Sequence, residues 1–125
     1  MYRLRDEKHL RRLRLLPCIR CANDQGSDAA HLRFSCAAHQ KVNPGVGRKP
    51  DDRDALPMCR RCHTLQHEIG EEAFWKGCDP IGWARQLYEA SGDINAEMEI
   101  IRRALKETQN ALQSEMGTTY KRAVS

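Results

Sequence analysis

Residues 93–117 carry the most regular hydrophobic pattern in the chain. The positions of this pattern, here called the seam, alternate by four and three residues. They are Ile94, Met98, Ile101, Leu105, Thr108 and Leu112. A spacing of 3.5 residues is typical of the seam of a coiled coil and predicts one long amphipathic helix. The seam is short, so two arrangements stay open. The helix either packs back onto the rest of the domain or self-associates to form a homodimer.

Three further helices are predicted from patterns upstream of this seam. Residues 3–16 can form a short basic helix, which Pro17 would end because proline cannot continue a helix. A second helix is predicted from Arg60 to a stop signal at Gly77, and a third over residues 81–90.

Strand signals are sparse and lie between the first two helices. The segment "AAHLRF", residues 29–34, predicts a short strand, and the glycine- and proline-rich residues 39–54 predict a loop. The chain has 125 residues, of which 6% are aromatic and 30% are charged. A chain of this size and composition builds only a small apolar core, so we expect an added staple such as a metal ion. The pattern therefore predicts a small α+β fold.

Four of the six cysteines form two C-x2-C pairs, "CIRC" with Cys18 and Cys21, and "CRRC" with Cys59 and Cys62. Two such pairs can complete a tetrahedral four-thiolate zinc site, and the long insert between them adds little entropic cost. Binding of zinc contributes about 10–16 kcal/mol in small metallodomains at neutral pH. We therefore predict a structural Zn²⁺ at these four residues. The remaining two, Cys36 and Cys78, have no ligand spacing.

The segment "CRRCHTLQH" also allows other metal schemes. A haem attached at Cys59, Cys62 and His63 would leave the first cysteine pair unused. A single zinc that also takes His63 and His67 is disfavoured, because adjacent residues of a helix point about 100° apart. Because Cys62 and His63 point in different directions, Cys62 can face the structural zinc while His63 faces away from it. His63 and His67, four residues apart, then share another helix face. The sequence therefore predicts two metal sites.

Charge is unevenly distributed along the chain. Residues 1–62 carry a net charge of +7, and residues 63–125 carry −3. A basic half on a small protein favours a polyanionic partner, most often nucleic acid. No apolar run reaches the ~18 residues of a membrane span, and the N-terminus lacks the apolar core of a signal peptide. We expect a cytoplasmic protein without membrane contact.

Together, these motifs resemble the HNH (ββα-metal) endonucleases. The resemblance rests on the first cysteine pair, "AHLR" with His31, "GVGRKPDD", and "LPMCRRCH" followed by His67. It covers about residues 9–90 and is closest to a phage and prophage branch, which includes a recombination-enhancement nuclease that depends on a recombinase. The implied fold is a zinc-stapled ββα-metal core at residues 18–90. A basic helix at 1–17 precedes this core, and an amphipathic helix at 91–125 follows it.

The resemblance implies a role for several residues. His31 would be the general base, with Asp52 or Asp54 as the carboxylate that orients it or joins the metal shell. His63 and His67 would bind the catalytic Mg²⁺ or Mn²⁺. The residues expected to contact nucleic-acid phosphates are Arg33, Arg48, Lys49, Arg60 and Arg61.

One position departs from the family pattern. Many members carry an aspartate ligand immediately before the base histidine, where this chain has Ala30, and Asp28 or Asp52 could compensate for it. The expected function is a metal-dependent DNA endonuclease with a role in recombination or DNA processing. The alternative is an inactive zinc-stabilised module that binds nucleic acid or protein. A third possibility is cleavage only of DNA that a recombinase filament presents.

Overall fold

The computed structural model of the chain describes residues 3–45 and 49–124, the last ten of these by their backbone only. The described elements confirm a mixed fold of helices and one small antiparallel sheet. In chain order they are α1 (Glu7–Leu15), β1 (Asp28–His31), β2 (Ala55–Met58), α2 (Arg60–Ile69), α3 (Glu71–Phe74), α4 (Pro80–Glu89) and α5 (Ile94–Val124).

Helix α1 is shorter than the predicted helix at residues 3–16. The side chain of Asp6 caps it by accepting a hydrogen bond from the backbone N–H of His9 at 3.0 Å. It ends at Leu15 because Leu16 is extended, as expected for a residue that precedes a proline. Residues 3–6 form no helix and run as an extended segment beside residues 50–52.

The two strands form the centre of the core. In their antiparallel register Asp28 lies opposite Met58, and His31 lies opposite Ala55. All four residues of β2 are buried, because α1 and α4 both pack against this strand. Strand β1 exposes more of its surface, and its chemistry-bearing side chains therefore lie at the edge of the core.

Helix α2 ends at Ile69 with Gly70 as its C-cap, and the predicted end at Gly77 is wrong. Gly70 has a φ of +98°, in the left-handed region that favours glycine. The chain then forms the short helix α3 and buries Trp75, whose indole N–H donates to Gln66 at 2.6 Å. The turn at Gly70 is therefore what allows Trp75 to reach the core.

Helix α5 packs against α4 through only part of the predicted seam, because Ile101 and Thr108 are buried and Leu105 packs against the core. The buried positions of its described side chains are Glu97, Ile100, Ile101, Ala104 and Thr108. Three seam residues are exposed, namely Ile94 at 50%, Met98 at 41% and Leu112 at 44%. The helix therefore packs onto the domain, and self-association through it stays a prediction. In the ranges given above, none of the helices is both long and apolar enough to cross a bilayer.

Candidate functional site

Cys18, Cys21, Cys59 and Cys62 form one compact cluster. Their sulfur atoms all lie within 4.8 Å of one another, and those of Cys21 and Cys59 are 3.7 Å apart. Four thiolates bound to one zinc ion at about 2.3 Å are separated by roughly 3.8 Å, so this arrangement fits a tetrahedral site. The four cysteines can therefore hold a structural metal such as zinc, as the sequence predicts.

Local backbone structure brings the two cysteine pairs together. In the first pair, the turn closes through a hydrogen bond from the N–H of Ala22 to the carbonyl of Cys18 at 2.8 Å. Ile19, inside this turn, donates its N–H to the carbonyl of Pro57 on β2 at 2.9 Å. Cys59 follows β2 and caps α2, so the second pair begins where the first is anchored. The strand thus positions both halves of the cluster.

Burial sets the electrostatics of the cluster. Three of the four thiols are buried, and Cys21 is exposed. Burial raises the pKa of the Cys18 thiol, and burial together with the neighbouring cysteines raises the pKa of Cys62 far above its usual range. At Cys59 burial acts in the same direction, but hydrogen bonds from Cys62 and the other cysteines outweigh it and lower the pKa. The Cys18 and Cys62 thiols therefore stay protonated by themselves, whereas a coordinated divalent ion deprotonates them. Metal binding at this cluster therefore releases protons.

His63 and His67 lie one turn apart on α2, with their Nε2 atoms 3.1 Å from each other. Nδ1 of His63 lies 3.0 Å from the carboxylate of Asp28 on β1. An ionised carboxylate only accepts hydrogen bonds, so Nδ1 of His63 carries a proton, and in the neutral imidazole Nε2 then presents a lone pair. Two imidazole nitrogens bound to one ion at about 2.0–2.1 Å lie roughly 3.0–3.4 Å apart, so the pair is spaced for chelation.

His31 belongs to a different network. Its Nε2 lies 2.8 Å from Oδ1 of Asp52, and the Asp52 carboxylate also accepts from the guanidinium of Arg3 at 2.9 Å and from the N–H of Asp6 at 2.6 Å. Burial opposes ionisation of Asp52, but the Asp6 amide, His31 and Arg3 overcome it and hold the Asp52 pKa below its usual range. Asp52 is therefore an ionised acceptor, and Nε2 of His31 carries a proton.

Of the two carboxylates that the sequence offers as partners for His31, the structure brings only Asp52 to it. The Asp54 side chain instead accepts from Nε of Arg85 at 3.0 Å, and its backbone carbonyl accepts from the N–H of Leu32 at 2.8 Å. These contacts attach the residue before β2 to α4 and to the residue that follows β1. Asp54 therefore has a structural environment, although the resemblance included it among the candidate catalytic residues.

The two histidine networks lie at opposite ends of β1. Side chains alternate between the faces of a strand, so Asp28 and His31 point to opposite faces, and their Cα atoms are about 10 Å apart along the strand. Among the residues described, no hydrogen bond links His31 to His63 or His67. The expectation that His31 faces the histidine pair across a phosphate stays a prediction.

The predicted phosphate contacts differ in their environment. Lys49, Arg60 and Arg61 are exposed, and Arg60 lies 3.2 Å from Asp28. Arg33 is held within the fold, because its N–H donates to Glu71 and its guanidinium donates to a loop carbonyl. Arg48 lies outside the described residues. Arg60 and Arg61 lie at the start of α2, and Arg60 shares the Asp28 carboxylate with His63.

Sequence reasoning missed the residues that anchor Asp52. Arg3 and Asp6 precede it by more than 40 positions, and no local pattern links the two segments. Comparison with protein-family models, with curated proteins and with solved structures found no match. Within residues 3–45 and 49–114, the four cysteines are the one set of three or more potential ligands that converge on a point.

Proposed function

We propose that the protein is a metal-dependent endonuclease that hydrolyses phosphodiester bonds in DNA. The observation that carries the proposal is the pairing of His63 and His67, whose facing Nε2 atoms lie at a chelating distance on the same helix as the exposed Arg60 and Arg61. The resemblance to the HNH nucleases supports the same reading of these residues. The cysteine cluster would hold the structural zinc.

His63 and His67 would hold the catalytic ion, with Asp28 fixing the ring of His63 through Nδ1. Imidazole donors favour transition-metal ions, whereas Mg²⁺ prefers oxygen ligands. We therefore expect Mn²⁺ to support the reaction better than Mg²⁺. When bound, the ion would neutralise the charge of the scissile phosphate.

His31 would accept the proton of the attacking water, a role that requires the scissile phosphate to span the roughly 10 Å between the two ends of β1. Because Asp52 engages Nε2, the nitrogen left to act as a base is Nδ1, which has no hydrogen-bond partner in the described part of the chain. A carboxylate that holds the opposite nitrogen fixes the tautomer in which this lone pair is available. The dyad is therefore arranged for general-base catalysis, which typically contributes about 10²–10⁴-fold in rate.

Nicking of a supercoiled plasmid tests this proposal. With Mn²⁺ present, His63→Ala and His31→Ala should each lower the rate by at least about 100-fold. His39→Ala is the matched control, since His39 pairs with Asp79 near the start of α4 and lies outside both networks. Wild-type nicking rates in the His31→Ala and His63→Ala variants would contradict the assignments.

The second candidate function is a zinc-stabilised module that binds nucleic acid without cleaving it. It is favoured by Ala30, which is fully buried where many related nucleases carry an acidic ligand. This reading predicts DNA binding that weakens steeply with salt and is unchanged in the two histidine variants. Failure to nick naked DNA, with cleavage restored on DNA coated by a recombinase filament, would instead support a role in recombination.

A further inference from the structure

The extended segment of residues 3–6, here called the N-terminal strap, is attached to the turn at residues 50–52. The N–H of Leu4 donates to the Asp51 carboxylate at 2.9 Å, and the Leu4 carbonyl accepts from the N–H of Asp52 at 3.0 Å. Nε of Arg3 donates to the carbonyl of Pro50 at 2.8 Å. The strap is therefore held to this turn through backbone and side chain alike.

The strap contributes two of the three groups that surround the Asp52 carboxylate. Arg3 and His31 both contact Oδ1, at 2.9 and 2.8 Å, and the N–H of Asp6 donates to Oδ2 at 2.6 Å. Asp52 is only 3% exposed, so water does little to replace a lost partner. Rotation of this carboxylate would break contacts at both oxygens. Its orientation toward His31 is thus fixed from the strap.

We infer that Arg3 is a positioning residue, which acts through Asp52 to hold the His31 imidazole in the tautomer and orientation that its proposed role requires. The catalytic consequence of this inference rests on the proposed function. The structural claim, that Arg3 orients Asp52 and that Asp52 orients His31, does not depend on it. A planar guanidinium suits this task because one fork can bond a carbonyl and a carboxylate together, as Arg3 does with Pro50 and Asp52.

The alternative is that Arg3 only attaches the N-terminal strap to the turn at residues 50–52. In that case its removal would lower stability and leave the state of His31 unchanged. The two readings make different predictions for spectroscopy and for kinetics. Arg5 is a matched control, because it is an exposed arginine of the same strap, and no contact of its side chain with Asp52 occurs among the described residues.

The experiment compares wild type with Arg3→Ala, Arg3→Gln, Arg3→Lys and Arg5→Ala, each with zinc bound. Imidazole ¹⁵N shifts of His31, recorded at mildly alkaline pH, should report protonated Nε2 in wild type and Arg5→Ala, and a tautomer mixture in Arg3→Ala and Arg3→Gln. In the nicking assay, kcat of Arg3→Ala and Arg3→Gln should fall about tenfold, with KM little changed. A tenfold loss is the lower end of the range expected when an orienting partner is removed. Arg3→Lys should recover part of kcat.

The spectroscopic result separates this inference from the proposed function. If wild type does not nick DNA but the tautomer of His31 still depends on Arg3, the nuclease proposal fails and the positioning role stands. If the shifts of His31 are the same in wild type, Arg3→Ala and Arg3→Gln, the positioning role is overturned whatever the activity. Arg3→Gln keeps a polar side chain and provides a folded comparison if Arg3→Ala does not fold.

Discussion

The carboxylate of Asp28 lies 3.0 Å from Nδ1 of His63 and joins the start of β1 to α2. Asp28 and Ala30 share one face of the strand, because side chains two positions apart point the same way. If the resemblance to the HNH nucleases holds, Ala30 stands where many of them carry an acidic ligand. Asp28 therefore supplies a carboxylate to that same face of β1, two residues before Ala30. This carboxylate contacts the ring of His63.

Substitution of Asp28 by asparagine should weaken the second metal site. An orienting carboxylate behind a ligating histidine is worth about 10–100-fold in affinity, so Mn²⁺ binding to zinc-loaded Asp28→Asn should fall by that factor. Titration calorimetry measures the difference. Asp24→Asn is the control, because Asp24 is exposed and contacts Gln25. Equal Mn²⁺ affinity in wild type and Asp28→Asn would refute this role of Asp28.

Replacement of Cys59 by serine should abolish zinc binding and folding together. Zinc binding contributes about 10–16 kcal/mol in small metallodomains, comparable with the whole stability of a domain, about 5–15 kcal/mol. Zinc content and far-ultraviolet circular dichroism provide the readouts. Cys36→Ser should keep one zinc per chain, since Cys36 lies outside the cluster. A folded Cys59→Ser protein that retains one zinc would contradict a structural metal here.

The packing of α5 can be tested by two truncations on one helix. Ile101 is 1% exposed, so Ile101→Ala should cost about 2–5 kcal/mol of unfolding free energy. Met98 is 41% exposed, and Met98→Ala should change stability by no more than about 0.5 kcal/mol. Urea denaturation with zinc present measures both. Similar losses at the two positions would instead indicate that the predicted seam is buried, as in a homodimer.

Acidification should destabilise the protein partly through His9. His9 is 2% exposed, with Nδ1 2.8 Å from Oγ of Ser91, and among the described residues its Nε2 has no hydrogen-bond partner. Burial lowers the His9 pKa below the ordinary value of 6.5. The unfolded chain therefore binds this proton first as pH falls below 6.5. Stability is lost from there down through the folded pKa, by at most about 1.4 kcal/mol per pH unit.

His9→Gln isolates this contribution, because glutamine can still bond Ser91 but does not titrate. Thermal unfolding of the zinc-saturated proteins is measured from neutral pH down to about one unit below the ordinary histidine pKa. Over this range Tm should decline less steeply in His9→Gln than in wild type. Protonation of the zinc ligands affects both proteins alike. Parallel declines would show that His9 does not contribute.

The cysteine cluster could be predicted from the sequence because its information is local. Each C-x2-C pair brings its own two thiols together over four residues, and the hydrogen bond from Ile19 to Pro57 attaches the first pair to the strand that leads to the second. The α5 seam could be placed only in part, because Ile100 beside Ile101 is apolar too and the packing of α5 buries both, whereas Ile94, Met98 and Leu112 of the seam stay exposed.

Glu97 is a second residue of α5 whose burial could not be predicted from the sequence. A glutamate is ordinarily expected at the surface, yet Glu97 is 1% exposed because Arg12, 85 positions away, pairs with it at 2.6 Å. The strap contacts of Asp52 span 46 to 49 positions in the same way. Pairings over such distances leave no periodic pattern, so these contacts became visible only in three dimensions.

The number of metal ions bound per chain tests the central claim most directly. Metal analysis after saturation with zinc and then Mn²⁺ should find one zinc and one further ion in wild type. The double variant His63→Ala/His67→Ala should keep the zinc at the four cysteines and lose the second ion. A wild-type protein that binds zinc alone, or a double variant that still binds both ions, would contradict a catalytic metal at this histidine pair.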